Sequence, residues 1–164
     1  MNVHPCLLLN FMDLYPNGEE TMNPQELLTT VYLGDRCLKR IIIDSWCEKV
    51  ILQIDSISRI AKGAKNWDFY ADEDIEEGMI VFTGVKFISF DPPEYIPNDA
   101  IEITAIDTIS GDLGLIIFTI STTSVYSDSG EVVNKDVIIK ITATGVHLED
   151  PKYSEDLVNR SGMD

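Results

Sequence analysis

The run Asp72-Glu-Asp74-Ile-Glu76-Glu77-Gly78 places five carboxylates within seven residues, a density at which oxygen ligands begin to suit a hard cation. A calcium loop of the EF-hand kind needs glycine at its sixth position and a bidentate Glu at its twelfth. Counted from Asp72, the glycine arrives one position late and Thr83 stands at the twelfth, so a standard loop fails. His147-Leu-Glu149-Asp150 sets an imidazole beside two carboxylates, but His4 is the only other histidine, and no multi-histidine metal site can be assembled. A Cys–His nucleophile would have to join Cys37 or Cys47 to His147, and nothing in the spacing supports that pairing. No phosphate-cradling glycine loop, nucleophile elbow or zinc-protease motif occurs. With 28 acidic residues, carboxylate pairs arise by chance and do not indicate a glycosidase-like site. The residues therefore imply a non-enzymatic protein with no catalytic residue, no metal and no cofactor. An enzyme would need a concave site where two carboxylates, or a cysteine with His147, converge.

Charge is the most distinctive property of the chain. Twelve basic residues stand against 28 acidic ones, a net charge of −16 over 164 residues. Such a surface repels nucleic acid and anionic lipid and favours a cationic partner. The acidity is not an even coat. Residues 31–65 hold seven Lys/Arg and four acids, whereas residues 66–107 hold eleven acids and only Lys86. The densest part interleaves aromatic rings with carboxylates, which is the make-up of a protein-binding patch: rings supply buried area and charges supply steering. The candidate partner-binding residues are Trp67, Asp68, Tyr70, Asp72, Glu73, Asp74, Glu76 and Glu77. The competing reading places the aromatics in the core and leaves the acids on a solvated turn or short helix, serving solubility only.

The elements that must position these residues are mostly strands. Asn23 can cap a helix with Pro24 at its first position and Glu26 in its first turn, predicting a short helix from Pro24 to about Tyr32. After Gly34 come six β-type runs. They are 37–46, 49–60, 79–90 with Gly84 as a bulge or close-approach point, one from Ile101, 113–126, and one around 137–143. The stretch Asp91-Pro-Pro-Glu-Tyr-Ile-Pro carries three prolines and cannot be an interior strand. Residues 61–78 read as polar and partly irregular. The fold class is mainly β (α+β): about six strands in an antiparallel meander, as a curled sheet or partly open barrel, with one short N-terminal helix. Residues 1–21 form an irregular lead-in, 22–150 one β-rich domain and 151–164 a polar, flexible tail. Three cysteines without a CxxC pair suit a reducing compartment, and no run is long enough to cross a membrane, so a cytoplasmic location is expected.

Several segments together resemble a family of small bacterial proteins of unknown function. They are Tyr32-Leu-Gly-Asp-Arg-Cys37, Ile43-Asp-Ser-Trp46, Ile57-Ser-Arg-Ile60, Trp67-Asp-Phe-Tyr70, Glu73-Asp-Ile-Glu-Glu-Gly78, Ile80-Val-Phe-Thr-Gly-Val85, Ile96-Pro-Asn-Asp-Ala-Ile101 and His147-Leu-Glu-Asp150. The resemblance runs from about Met22 to Asp150 and carries no activity or catalytic residue. In size and acidity the chain is similar to bacterial immunity proteins, which plug the basic active sites of toxins. Two expectations follow. One is a protein-binding module, an immunity-type inhibitor meeting a basic partner such as a toxin domain through an acidic face. The other is a small-ligand-binding or structural β-domain whose acidity only solubilises it.

Overall fold

The computed structural model describes residues 23–59, 73–109 and 114–152. Helix α1 (Pro24–Thr30) starts where Asn23 accepts a hydrogen bond from the amide of Gln25 at 3.1 Å, with proline in its first turn. It stops two residues short of the expected Tyr32. Val31 and Tyr32 turn extended as β1 (Val31–Tyr32) and pair with Arg59 and Ser58, so a ladder outcompetes the last half-turn. Leu27 is buried and fixes the inner face of the helix.

Ten further strands follow: β2 (Leu38–Asp44), β3 (Lys49–Ile54), β4 (Ser56–Arg59), β5 (Glu73–Glu76), β6 (Met79–Thr83), β7 (Phe87–Asp91), β8 (Ile101–Thr108), β9 (Ile116–Asp128), β10 (Glu131–Ala143) and β11 (Gly145–Glu149). They form three sheets, ordered β1-β4-β5, β7-β10-β9-β8 and β11-β6-β3-β2, and every pairing is antiparallel. The mainly β expectation holds, but the six-stranded meander does not. Three expected runs each divide at a bend: 49–60 at Asp55, 79–90 at Gly84, and the last run at Thr144 before continuing as β11. Each bend lets one chain leave one sheet and enter another while keeping its neighbour. The β3–β6 ladder continues as β4–β5 beyond Asp55 and Gly78, and β6–β11 continues as β7–β10 beyond Gly84 and Thr144. Glu73–Glu76, expected in an irregular stretch, is a strand, because Ile75 faces Ile57 across the ladder and packs against the core. Trp46, expected to end strand one, lies in the β2–β3 turn, where Asp44 accepts from the amides of Trp46 and Cys47 at 3.1 and 3.0 Å.

Alternation puts one face of each main strand inside. Val50, Leu52 and Ile54 of β3, Phe82 of β6, Phe118 and Ile120 of β9, and Ile139 and Ile141 of β10 are all buried. Each such side chain stabilises the fold by roughly 1.5–3 kcal/mol through the area it removes from water. The Phe82 and Phe118 rings meet edge to face, 4.9 Å apart at 68°, and join the two four-stranded sheets. At one margin those sheets touch through a single Cys37–Ala100 bridge, with Leu38 N–H donating to Asp99 at 2.9 Å. The ladders do not close into a barrel. The proline-rich segment ends by lying along β9, where Asn98 and Asp99 both donate to the Thr123 carbonyl.

Cys37 is a free thiol, whereas Cys47 is disulfide-bonded, its partner lying outside the described residues. Cys47 sits at a hairpin tip rather than on an apolar strand face. No helix among the described residues is long and apolar enough to cross a membrane.

Candidate functional site

Of the eight residues expected to form a partner patch, Trp67, Asp68, Tyr70 and Asp72 lie outside the described residues. Glu73 opens β5 opposite Arg59. Asp74 accepts from the hydroxyl of the buried Ser58, and the Arg36 guanidinium stands 3.7 Å away. Glu76 pairs with Lys152 at 2.9 Å, and Glu77 with Lys39. The charge polarity of the sequence is thus partly cancelled in three dimensions, because Arg36 and Lys39 of the basic stretch fold against acids of the acidic one. Pairs this exposed contribute at most about 1 kcal/mol each. A partner approaching Asp74, Glu76 and Glu77 must compete with the chain's own cations.

The other chemistry-bearing residues are held apart. Cys37 donates its thiol to Asp99 at 3.2 Å, and this hydrogen bond, together with burial and the nearby carboxylates, pushes the thiol above its ordinary pKa. A thiol so held is a poor nucleophile. Cys37 leads into β2, and His147 lies on β11 at the opposite edge of the same sheet. The buried His147 ring instead meets Glu149 at 2.8 Å. That hydrogen bond holds the Glu149 carboxyl below its usual range. A carboxylate with a lowered folded pKa contributes stability above the ordinary Glu range and loses it as pH falls through the lowered value. Glu149→Gln is therefore expected to weaken the fold by about 1 kcal/mol at neutral pH. The gap to the wild type should narrow as the pH falls below the ordinary Glu range, read from urea midpoints at neutral and at acid pH. An unchanged gap would show that the carboxylate's charge is not what the pair uses. No group of three or more His, Cys, Asp or Glu among the described residues is placed to hold a metal ion.

A concave surface opens elsewhere, with no motif to mark it. A cleft of about 480 Å³ lies between the α1–β1 segment and the edge of the β8–β9 hairpin. Its position follows from the topology. β1 ends one sheet and β8 ends another, and β1 is only two residues long, too short to cover the β8 edge. Gln25 ties the helix to the Ile106 carbonyl at 3.3 Å on one side, and the Cys37–Ala100 bridge closes the other. Leu27, Leu33, Ile101 and Ile103 are buried in its apolar lining, while Leu28 and Tyr32 remain 42% and 41% exposed. Gly34 lets the Tyr32 ring lie against the backbone, since a Cβ there would overlap the ring. Among the described residues, Asp35 and Glu102 are the two charged residues of the lining, both exposed carboxylates.

One polar atom stands out in the lining. Thr122 is 3% exposed, and its hydroxyl oxygen has no hydrogen-bond partner. An unpaired buried hydroxyl costs roughly 1–3 kcal/mol in desolvation. Thr122→Val keeps the shape and removes the orphan, so stability should stay level or rise by up to about 1 kcal/mol, measured by thermal denaturation. A clear loss would mean that the hydroxyl is satisfied in solution.

These residues could not be found from sequence motifs, because the cleft is assembled from three separated segments without a shared pattern. Comparison with curated proteins and with solved structures finds no match. A family model does match, over residues 22–160, spanning the helix, all eleven strands and the whole cleft. The chain belongs to the family of unknown function DUF6258.

Proposed function

We propose that this protein is a non-enzymatic binding module that holds a basic protein partner, and that the cleft beside α1 is where it does so. The observation that carries the reading is a cleft of mixed apolar and polar lining in which, among the described residues, both charged groups are carboxylates, in a chain of net charge −16. Apolar lining supplies affinity, and the acids select and steer a cationic partner. The contact thus centres on Asp35 and Glu102, not on Asp74, Glu76 and Glu77, which already have cationic partners. Within this class, the chain's size and acidity support an immunity-type inhibitor in the bacterial cytoplasm, neutralising a cationic toxin such as a nuclease. The alternative of a small-ligand-binding domain draws support from the orphaned Thr122 hydroxyl in the cleft lining.

The test is co-purification of the tagged chain with the product of the gene beside its own, comparing wild type with the D35K/E102K and E76K/E77K variants. A basic partner retained at low salt, released at about 0.5 M salt, and lost only with D35K/E102K is the expected result. Equal retention by all three variants, or a partner that is itself acidic, would remove the reading.

A further inference from the structure

We propose that the cleft receives its partner as an added β-strand: an extended segment with alternating basic and apolar residues, aligned along the free edge of β8. This rests on the binding-module reading above and specifies how the partner is held.

The first support is the sheet edge itself. Among the described residues, β8 pairs with β9 on one side only. Along its other side, Ala100 bridges to Cys37 and the Ile106 carbonyl accepts from Gln25, and of the five residues between, Ile101 to Ile103 line the cleft. An antiparallel strand directs alternate N–H and C=O groups to each side, so this stretch presents main-chain donors and acceptors to whatever enters. Edges of this kind accept peptides by strand addition, main-chain hydrogen bonds giving affinity and side-chain pockets giving selectivity.

The second support is how the two faces of such a strand would be met. Ile101 and Ile103 point inward and are buried, whereas Glu102 between them is exposed. A strand laid beside Ile101–Ile103, ahead of the register shift between Ile103 and Ala105, inherits the same alternation, with period two. Apolar side chains on one face would reach Leu27, Leu33 and the inward isoleucines. Side chains on the other face would stand beside Glu102, where a Lys or Arg is favoured across a strand pair. Asp35 adds a second carboxylate to the same lining. An acidic or uniformly apolar segment matches this pattern poorly.

The third support is Thr122. Directly across the ladder from Ile101, it is buried and has a hydroxyl without a partner. It lies beneath the cleft lining, so a ligand group that parts the lining there would meet a polar atom still in need of a partner.

The experiment uses the full chain and three synthetic peptides, with acetylated and amidated ends. One is an alternating Lys–Val heptapeptide, the second is the same sequence N-methylated at alternate amides, and the third is the Glu–Val counterpart. Binding is read by calorimetry, and its place by amide hydrogen exchange. The Lys–Val peptide is expected to bind and to slow exchange of the Ile101–Ile103 amides. N-methylation of the edge-facing amides should weaken it at least tenfold, the D35K/E102K variant should weaken it similarly, and the Glu–Val peptide should not bind. Equal binding of the N-methylated peptide would overturn strand addition. Binding without altered exchange at Ile101–Ile103 would do the same. If hexylamine protects these amides as well as the peptide does, the site takes small cationic amphiphiles and the proposal fails. Should the adjacent gene product co-purify in a D35K/E102K-sensitive manner while the Lys–Val peptide fails to bind, the module reading stands and strand addition falls.

Discussion

Phe118→Ala is expected to lower the stability of the protein by about 3–5 kcal/mol, a large share of what a domain this size possesses. Phe118 is fully buried on β9, and its ring meets that of Phe82 on β6 edge to face. Removing it forfeits both the transfer of the ring from water and the contacts that bind the two four-stranded sheets. The surrounding residues, Ile120, Ile139 and Ile141 among them, belong to paired strands and cannot collapse freely into the void. The midpoint of thermal unfolding should fall by roughly 10 °C or more. A double-mutant cycle with Phe82→Ala isolates the pair, which should show coupling of about 0.5–1.5 kcal/mol. A loss below about 1 kcal/mol for Phe118→Ala would contradict the packing of the sheets as described.

Gly84→Val should be nearly as damaging, for a backbone reason. Gly84 has φ +60°, a conformation that β-branched residues almost never adopt. It stands at the bend between β6 and β7, facing the bend at Thr144 between β10 and β11. A Cβ at position 84 would overlap Thr144 Oγ1, with Thr144 Cβ and Cγ2 at 3.2 and 3.3 Å, so turning the hydroxyl aside does not clear the space. The two bends are tied by Thr144 N–H donating to the Thr83 carbonyl at 3.0 Å and Lys86 N–H to that of Thr142 at 2.8 Å. Even Gly84→Ala should cost about 2 kcal/mol, of which 1–2 is the left-handed backbone alone. Combining it with Thr144→Ala separates the contributions: the overlap with the hydroxyl is relieved and the backbone part remains. Chemical denaturation of the two single variants and the double variant measures both. If Gly84→Ala matches the wild type, the bend does not need its glycine.

Gly84 also shows what the sequence made legible. A glycine inside a strand run signals a bulge or close approach, and that reading located the bend. The Thr144 bend carries the same signal in Gly145, where a Cβ would meet Thr83 Oγ1 at 2.8 Å, whereas Asp55 turns the chain with no glycine. Asp55 does it by accepting from the amides of Cys37 and Ser56 at 2.9 Å each, a partnership created by tertiary structure. β5 was hidden because three of its four residues are acidic and only Ile75 shows strand chemistry. The sheet order was hidden for another reason. Its decisive pairings, β3 with β6 and β7 with β10, join segments far apart in the chain, and alternation within a strand does not name its neighbour. The acidic run was conspicuous in sequence, but its salt partners Arg36, Lys39 and Lys152 were not. The cleft left no trace in the sequence, because a gap between two sheet edges is a property of topology.

The strands that change sheets also bear on how such a chain can be inherited. A crossover or split between Thr83 and Phe87 would part β6 from its neighbour β11, although β7 keeps β10. Breaks at Asp55 or Thr144 would likewise part β3 or β11 from β6. Among the described residues, each of these bends is therefore a poor seam for exchanging one sheet for another. Novelty has to enter by insertion at hairpin tips, such as Ser129-Gly130, or by substitution along the open β8 edge, where the ladder imposes nothing on the side facing outwards.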